Sequence, residues 1–395
     1  MITQLSDSVR YIGCDDFDLD LFEGQYALPE GMTYNSYLIL DGKVAVMDAV
    51  DASKTDEWLY KLEDALEGRL PDYLVVHHME PDHSGAILRA MDKYPAMTLV
   101  LTAQALKMLR QFFENADIDG RTLVVGDGDK LDLGSHKLTF LTAPMVHWPE
   151  VMVSYDEFDC TLYSADAFGK FGAIGKCGFY GSDDDDWACE ARRYYFNIVG
   201  KFGAQVQALL RKVEPFEVKR IFPLHGPLLK ENLDYYLGLY DTWSSYAAET
   251  KGVAIAYTSV YGHTREAVEM LAAELEKRGV KVALSDLARC DMAEAVEDAF
   301  RYDRIVLATT TYNGGIFPFM HTFIEHLVGL GFRNKCVAFI ENGSWAPTAT
   351  RNMKAMLEPC ANMTYTASGV KIMSALNRES RGQIVALADE LSNNQ

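Results

Sequence analysis

The sequence lacks the cysteine spacing of an iron–sulfur or rubredoxin-type module. None of its seven cysteines forms a C-x-x-C pair, and no two of them are close along the chain. Such scattered cysteines favour reduced thiols in a reducing compartment over a disulfide framework or a thiolate metal site. We therefore expect no metal centre of the cysteine type. The seven are Cys14, Cys160, Cys177, Cys189, Cys290, Cys336 and Cys360.

The chain also lacks long apolar runs and an excess of positive charge. No apolar run is long enough to span a bilayer, and "MITQLSDSVR" has no basic segment leading into an apolar one. The expectation is a cytoplasmic protein. Against 57 acidic residues there are only 37 lysines and arginines, and the net charge is -20. Such a surface repels phosphate backbones, which argues against nucleic acid as a partner.

A third absence concerns nucleotide motifs, because no G-x-G-x-x-G fingerprint or Walker A loop is present. This argues against NAD or ATP as a bound cofactor. Electrons used by any redox centre of this chain must then come from outside, through another protein.

The 395 residues are too many for one ordinary core, and their rhythm changes near residue 250. Before that point short strands and helices mix in an α/β sandwich pattern whose strands end in polar loops. After it, "GVAIAY", a polar loop, an amphipathic helix and "VKVALSDL" form a strand–helix–strand unit of a doubly wound parallel sheet. The prediction is an α/β protein with domains at residues 1–249 and 250–395.

The most informative stretch is "VVHHMEPDHSG", in which a buried strand ends in a cluster of ionisable groups. Its ligand-type residues fit the pattern H-x-E-x-D-H. Three more ligand types follow other predicted strands, in "TAPMVH", "LYSAD" and "FPLHG". Seven such residues on four strand ends can build a two-metal centre with a bridging carboxylate. The predicted ligands are His78, Glu80, Asp82, His83, His147, Asp166 and His225.

Imidazoles with carboxylates and no thiolate suit non-haem iron, manganese or zinc. The carboxylates favour a redox-active iron pair, because they stabilise higher oxidation states. His77 should point away from His78 across the strand, so we interpret it as a structural residue or a support for the ligands. His136, His321 and His326 have no motif around them and are interpreted as ordinary core or surface histidines.

Three loops of the second predicted domain follow strands and share polar and aromatic character. "TSVYGHT" offers hydroxyls, backbone N–H groups and a helix N-terminus to a phosphate. "TTTYNGG" and "ENGSW" follow the next central strands and offer aromatic rings and an amide to a flat ring. The predicted cofactor contacts are Thr258, Ser259, Tyr261, Gly262, His263, Thr264, Thr311, Tyr312, Asn313, Gly314, Ser344 and Trp345.

The spacing of the seven ligand-type residues resembles the metallo-β-lactamase fold. Hydrolases of that fold have histidine where Glu80 stands, whereas the glutamate, "PEGMTYNSYLI" and "EARRYYFNIVGKFG" resemble the flavodiiron proteins (A-type flavoproteins). The resemblance covers essentially the whole chain and includes the domain order. It implies a metallo-β-lactamase-like αββα sandwich followed by a flavodoxin-like sheet that binds FMN. Tyr261 replaces a second hydroxyl residue found in many flavodoxins, and His263 lies near the phosphate or faces solvent.

At the level of individual residues, the resemblance implies two iron sites that share Asp166 as a bridging ligand. One iron is held by His78, Glu80 and His147. The other is held by Asp82, His83 and His225.

The resemblance further implies a reductase in which FMN passes electrons to the diiron centre. Its reaction is reduction of oxygen to water, of nitric oxide to nitrous oxide, or both. It implies a head-to-tail homodimer or a dimer of dimers, because metal and flavin loops belong to different domains, and a rubredoxin-type external donor. Two alternatives stay open at this point. One is a dizinc hydrolase of the metallo-β-lactamase class with an appended flavodoxin, and the other is an electron carrier with an inactive metal site.

Overall fold

The computed structural model describes residues 2–182 and 185–393, without the side chains of residues 185 and 186. The chain divides into two compact units. The N-terminal unit comprises Met1–Tyr195 and Ala204–Asp241, and the C-terminal unit comprises Phe196–Gly203 and Thr242–Gln395. Phe196 belongs with the second of these because its ring stacks on Phe300 at 4.4 Å between centroids. A separation of two domains between residues 249 and 250 remains a prediction.

Two sheets face each other in the N-terminal unit, and the core lies between them. The larger sheet has the strand order β1-β2-β7-β8-β9-β10-β11, and the smaller has β12-β13-β14-β15-β16. Apolar side chains of both sheets, such as Val75 and Val100 from one and Phe140 and Phe222 from the other, form one buried cluster. This arrangement confirms the predicted αββα sandwich.

The strands of this unit are short, with two to six residues each. They are β1 (Thr3–Gln4), β2 (Val9–Tyr11), β3 (Cys14–Asp16), β4 (Leu21–Phe22), β5 (Tyr26–Ala27), β6 (Met32–Tyr34), β7 (Tyr37–Leu40), β8 (Val44–Met47), β9 (Tyr73–Val75), β10 (Thr98–Leu101), β11 (Thr122–Val124), β12 (Lys130–Asp132), β13 (Lys137–Thr142), β14 (Met152–Asp156), β15 (Thr161–Tyr163) and β16 (Arg220–Phe222).

The helices of this part of the chain are amphipathic. On α1 the apolar side chains of Trp58, Leu59 and Leu62 are buried, as their 3.6-residue spacing predicts. After α6 the chain continues as one π turn (Tyr195–Val199) and one 3₁₀ turn (Gly200–Phe202). The helices are α1 (Thr55–Ala65), α2 (Pro81–Ser84), α3 (Ile87–Lys93), α4 (Ala103–Phe112), α5 (Ile174–Cys177), α6 (Asp185–Tyr194), α7 (Gly203–Val213) and α8 (Leu233–Ser244).

The C-terminal unit is built on a parallel sheet in which the strands have the order second, first, third, fourth, fifth. Every pairing along β18-β17-β19-β21-β22 is parallel, β23 extends β21 in parallel, and only the short β20 is antiparallel. This is the order of the flavodoxin-like doubly wound sheet and confirms the predicted fold of this part. The strands are β17 (Thr250–Tyr257), β18 (Val282–Asp286), β19 (Tyr302–Tyr312), β20 (Gly315–Ile316), β21 (Cys336–Asn342), β22 (Thr364–Tyr365) and β23 (Val370–Ile372).

Helices cover this sheet through apolar faces. On α9 the predicted face of Val268, Leu271, Ala272 and Leu275 is buried. Gly279 follows that helix with a φ of +74°, a left-handed conformation that glycine adopts without steric cost. The helices are α9 (His263–Lys277), α10 (Met292–Arg301), α11 (Pro318–Gly329), α12 (Ala349–Met356) and α13 (Arg378–Asn393). In the described part of the chain, none is long and apolar enough to cross a bilayer.

His136 is a buried structural histidine, as interpreted from the sequence. Its Nδ1 lies 2.6 Å from Asp156 Oδ2, and its Nε2 lies 2.6 Å from Ser8 Oγ. Asp159 completes a group with metal-ligand geometry, but both ring nitrogens of His136 already have protein partners. Burial alone would lower the pKa of His136, yet the hydrogen bond to Asp156 and the charge of that carboxylate outweigh it and raise the pKa.

This pair predicts a stability that falls with rising pH. A raised folded-state pKa stabilises the fold fully below the ordinary histidine pKa of about 6.5, and the contribution is lost as the pH rises through the folded value. We expect the stability difference between the parent and His136→Leu to shrink as the pH rises above about 6.5, measured by denaturant unfolding. His321→Leu removes an exposed histidine and serves as the control for the loss of an imidazole. A difference that stays constant over this range would contradict the assignment.

Candidate metal centre and cofactor cavity

The seven predicted metal ligands come from loops that follow strands and from one short helix. Glu80 precedes α2, which carries Asp82 and His83. The loop between β13 and β14 carries His147. Asp166 follows β15 and His225 follows β16, and these two strands pair in parallel, so both side chains leave the same edge of the sheet.

The structure brings all seven side chains together in two neighbouring groups. Within each group, one potential ligand atom per residue lies within 4.8 Å of the others. Both groups are buried in the interior of the N-terminal unit, although Asp82 retains a 9% exposed surface. The first group is His78, Glu80, His147 and Asp166, and the second is Asp82, His83 and His225.

Asp166 connects the two groups through its two carboxylate oxygens. Its Oδ2 lies 3.0 Å from His147 Nε2 and 3.5 Å from His78 Nε2. Its Oδ1 lies 3.3 Å from His83 Nε2 and 3.9 Å from His225 Nε2. One oxygen facing each group is the arrangement that a carboxylate bridging two metal ions requires.

The donor atoms fit a pair of cations better than they fit one another. His225 donates its Nδ1 proton to the Thr33 carbonyl, so in the neutral ring its Nε2 carries a lone pair, and this atom lies 3.0 Å from His83 Nε2. Both carboxylate oxygens of Asp82 are buried and accept no hydrogen bond from the described residues. Buried polar atoms are normally satisfied, so these donors indicate that metal ions complete the site.

The charges of the site balance through imidazole protonation or through metal binding. Burial opposes the ionisation of Glu80, but hydrogen bonds from His147 and His78 outweigh it and lower the pKa of this carboxyl. Burial would lower the pKa of His147, but its hydrogen bonds to Asp166 and Glu80 raise it to about 9. Protons and a divalent cation thus compete for the same nitrogen atoms, which couples metal binding to proton release.

Two partners that orient the ligands were not predicted from the sequence. Glu150 Oε1 accepts hydrogen bonds from His78 Nδ1 at 2.7 Å and from the Met79 backbone N–H at 2.9 Å. The backbone carbonyl of Thr33 lies 2.8 Å from His225 Nδ1 and accepts its proton. Each contact turns the Nε2 atom of its histidine toward the metal position. The acid three residues after His147 was the only sequence signal for Glu150, and a backbone carbonyl leaves none.

His77 lies beside the ligands and takes no part in the two groups. Its Nδ1 lies 2.5 Å from Asp48 Oδ2, and its Nε2 lies 2.8 Å from Ser154 Oγ. All three side chains are almost fully buried, and they connect the two sheets of the sandwich. His77 thus makes structural contacts, which fits its interpretation as a structural residue.

An acidic cavity of about 650 Å³ adjoins the predicted metal ligands Glu80 and Asp82. Its one lysine, Lys54, pairs with Asp16 at 3.0 Å. Burial and the charge of Glu80 raise the pKa of Glu23, which also lines this cavity. The carboxylates that line this cavity disfavour anions relative to small neutral molecules.

Two aromatic residues of the N-terminal unit, Trp148 and Tyr26, have different surroundings. The ring of Trp148 is 5.3 Å from that of His78 and 6.3 Å from that of His147. Tyr26 packs 6.0 Å from Phe171 and is almost buried. Trp148 is therefore well placed to shape the surroundings of the predicted metal ligands.

The C-terminal unit contains a cavity of about 770 Å³ at the carboxyl ends of its parallel strands. Ligands of doubly wound sheets bind at this edge, where the strand order reverses. Three loops form the cavity, and ten of the twelve predicted cofactor contacts line it. These are Ser259, Tyr261, His263, Thr264, Thr311, Tyr312, Asn313, Gly314, Ser344 and Trp345.

The other two predicted contacts lie just outside this lining. Thr258 is fully buried, and its Oγ1 lies 2.6 Å from Thr309 Oγ1. Gly262 is the residue before α9 and has a φ of +93°. Sequence reasoning missed several lining residues, among them Asn342 and Ser374. The direct contacts of the cofactor remain predictions for all of these positions.

The cavity has the features that a flavin phosphate requires. Ser259 Oγ accepts hydrogen bonds from the backbone N–H groups of Gly262 and Arg265, which holds the loop at the N-terminus of α9. That N-terminus offers a favourable dipole to an anion. Tyr261 and Trp345 are 90% and 89% exposed, an unusual state for aromatic rings that a flat ligand would cover.

Both parts of the chain match known family models. Residues 32–226 match the ODP family beta lactamase, and residues 254–367 match the flavodoxin domain. The fold and the site therefore define a protein with a beta-lactamase-like domain, which holds a paired metal-ligand cluster, followed by a flavodoxin domain.

Two curated relatives share this organisation over most of the chain. The putative diflavin flavoprotein A 1 of Nostoc sp. is 33% identical over 310 residues, which is 77% of this chain and 52% of that protein. The anaerobic nitric oxide reductase flavorubredoxin of Enterobacter sp. is 28% identical over 360 residues, 90% of this chain and 74% of that protein. The chain thus spans about half the length of the first relative and about three quarters of the second.

A solved structure shows the same fold over the whole chain. The rubredoxin oxygen:oxidoreductase of Desulfovibrio gigas superposes with a TM-score of 0.91 at 24% identity, covering 100% of this chain and 98% of that one. The two family models in this domain order and the curated relatives, which match most of the chain, show that the chain belongs to the flavodiiron protein family. Its cofactors are accordingly FMN and a non-haem diiron centre, and both described sites fit them.

Proposed function

We propose that this protein is an oxidoreductase that uses electrons from FMN to reduce oxygen to water, nitric oxide to nitrous oxide, or both. The observation that carries the proposal is the placement of Asp166, with one carboxylate oxygen toward each ligand group. When bound there, a pair of irons supplies the electrons to a small diatomic substrate. The names of the flavorubredoxin and of the rubredoxin oxygen:oxidoreductase support the two substrates.

The residues of this chain hold the centre in place for that reaction. Glu150 and the Thr33 carbonyl set the orientation of His78 and His225, so that the Nε2 atoms face the metal positions. Glu80 occupies the position where hydrolases of the fold have histidine, which favours a redox-active metal over zinc. A dizinc hydrolase is therefore the weaker candidate.

The proposal includes an external donor and an assembly of identical chains. The names of the relatives support a rubredoxin-type donor, since no cysteine pair in this sequence forms such a module. The metal donors and the flavin cavity lie in different units, so we propose a head-to-tail homodimer or a dimer of dimers that brings one copy's flavin to the other's metal centre. A cytoplasmic location accords with cysteines that form no disulfide among the described residues.

Anaerobic mixing tests the proposed activity. Protein loaded with iron and FMN and then reduced is mixed with oxygen or with nitric oxide, while flavin absorbance, gas consumption and nitrous oxide are measured. We expect rapid reoxidation with at least one gas, and nitrous oxide if that gas is nitric oxide. The same protein loaded with zinc is the matched control and should reoxidise slowly. Equal rates for both forms, or no reaction with either gas, would refute the proposal.

The exposed indole of Trp345 predicts a loss of flavin affinity on truncation. Trp345→Ala removes a flat surface beside the cavity, and stacking of a nucleobase on an aromatic side chain contributes about 1–3 kcal/mol in complexes with single-stranded nucleic acid. We expect FMN to bind roughly tenfold more weakly, measured by titration of the quenching of flavin fluorescence.

Tyr365→Ala is the control for this change. Tyr365 is also partly exposed, but its ring stacks on Phe339 at 5.8 Å and does not line the cavity. If Tyr365→Ala weakened FMN binding as much as Trp345→Ala, the loss would report general damage to the unit and the assignment of Trp345 would be wrong.

A further inference from the structure

The acidic cavity beside the predicted metal ligands touches both halves of the metal centre. It is lined by Glu80, which belongs to the first ligand group, and by Asp82, which belongs to the second. These two are also the most exposed of the seven predicted ligands, at 8% and 9%, whereas the other five are 6% exposed or less. The cavity therefore gives a solute access to both predicted metal positions.

The lining of the cavity runs from a solvent-exposed carboxylate to buried ones. The side chain of Asp18 is 96% exposed, and its Oδ2 lies 3.6 Å from Lys54 Nζ. The same ammonium group lies 3.0 Å from Oδ1 of Asp16, which is buried. Asp16 Oδ2 accepts a hydrogen bond from Tyr34, whose ring lies 6.2 Å from that of the predicted ligand His225. Carboxylates and their contacts thus lead from solvent to the second ligand group.

The lining carries far more negative than positive charge. Of the residues that the structure describes, six with carboxyl groups and one with an ammonium group, Lys54, line the cavity. The six are Asp16, Asp18, Glu23, Asp51, Glu80 and Asp82. A cleft lined by charges of one sign concentrates ions of the opposite sign and raises their rate of association by about 10- to 1000-fold. This excess of carboxylates favours a small cation as the solute that the cavity attracts.

The two ends of the cavity are both suited to a cation. At the outer end, the Lys54 ammonium already lies between the carboxylates of Asp16 and Asp18. At the inner end, both oxygens of Asp82 are buried and accept no hydrogen bond from the described residues. A buried carboxylate without hydrogen bonds is strongly unfavourable, so a cation that reaches Asp82 is stabilised there.

We propose that this cavity is the access route for the iron ions that build the metal centre. Asp18 and Asp16 attract hydrated Fe²⁺ at the outer end, and Asp82 receives it at the inner end. Carboxylate oxygens and imidazole nitrogens both bind divalent iron, so the ion passes from the carboxylates to the complete ligand groups. Lys54 opposes uptake, because its ammonium group competes with the ion for the two outer carboxylates. The proposal holds whichever gas the loaded protein reduces.

The rate of iron uptake tests this route. Iron-free protein that retains FMN is mixed anaerobically with Fe²⁺, free iron is removed with a chelator at set times, and the protein-bound iron is measured. We expect the initial rate of the parent to fall as salt is added, because the Debye length shrinks from about 10 Å at 0.1 M to about 3 Å at 1 M. At low salt, Asp18→Asn should take up iron at least about threefold more slowly, and Lys54→Met at least about threefold faster.

Asp119→Asn is the matched control for the loss of one exposed carboxylate. The side chain of Asp119 is 92% exposed and pairs with Arg110 at 3.3 Å, so it resembles Asp18 in its exposure and in having a cationic partner. It does not line the cavity, and its variant should take up iron at the rate of the parent. The parent and all variants should reach the same final iron content, because none of the changes removes a predicted ligand.

Several results would overturn the proposal. These are a parent rate that does not change with salt, an Asp18→Asn rate equal to that of the parent, a Lys54→Met rate no higher than that of the parent, and equal slowing in Asp119→Asn. A lower final iron content in Asp18→Asn would also overturn it, since Asp18 would then act as a ligand. Circular dichroism shows whether each variant is folded. If Lys54→Met does not fold, the salt series and the two aspartate variants still decide the question.

Discussion

Replacing Asp166 by asparagine is expected to abolish assembly of the metal pair. The amide keeps the size of the side chain but offers only one oxygen, so it cannot present an anionic oxygen to both ligand groups at once. We expect iron to fall from about two ions per chain to fewer than one, and gas reduction to fall by more than about a hundredfold. Iron analysis and turnover with oxygen and nitric oxide measure the two effects.

Asp159→Asn is the matched control for this change. Asp159 lies in the loop before β15, Asp166 follows the same strand, and Asp159 is also largely buried. It contacts Arg220 and Thr161 and belongs to neither group of predicted ligands around Asp166. Full iron content in Asp166→Asn, or an equal loss in Asp159→Asn, would show that Asp166 does not bridge two ions.

Replacing Asp48 by alanine is expected to destabilise the N-terminal unit by about 3–5 kcal/mol. Asp48 accepts hydrogen bonds from the backbone N–H of His77 at 2.7 Å and from its Nδ1, and both groups would be left buried without a partner. The backbone at Asp48 has a φ of +58°, which alanine tolerates less well than aspartate or asparagine. Urea unfolding followed by circular dichroism measures the free energy of unfolding.

Two further variants separate the buried network from a general effect of lost charge. Asp48→Asn keeps an acceptor for the backbone N–H and should cost less than Asp48→Ala. Asp119→Ala removes a carboxylate that is 92% exposed and pairs only with Arg110 among the described residues, so it should change the free energy of unfolding by less than about 1 kcal/mol. If Asp48→Ala cost no more than Asp119→Ala, the structural assignment of the His77 network would be wrong.

The seven predicted metal ligands stand out in the sequence because each is chemically distinctive and follows a buried strand. The H-x-E-x-D-H pattern brought four of them together in sequence, while Asp166 and His225 follow parallel neighbours in one sheet. The supports of these ligands were harder to predict. Glu150 reaches His78 across 72 positions of the chain, and the Thr33 carbonyl reaches His225 across 192. Such contacts depend on the tertiary fold and have no local pattern.

For the flavin cavity, the sequence likewise predicts the location better than it predicts the individual side chains that line it. Three strand ends were enough to predict where the cavity lies, because parallel strands end at one edge of a sheet. Side chains alternate between the two faces along β17, and Thr258, the next residue, points into the interior toward Thr309. Ser374 follows β23, a strand of only three residues, which is too short to show a clear pattern in sequence. The strands β1 to β6 were missed for the same reason.

Anomalous diffraction at the iron edge from crystals of iron-loaded protein tests the central claim most directly. The account predicts two iron peaks per chain. One lies among His78, Glu80 and His147 and the other among Asp82, His83 and His225, with an oxygen of Asp166 on each. A single peak, zinc in place of iron after loading, or ligand side chains that do not reach the metal would contradict it.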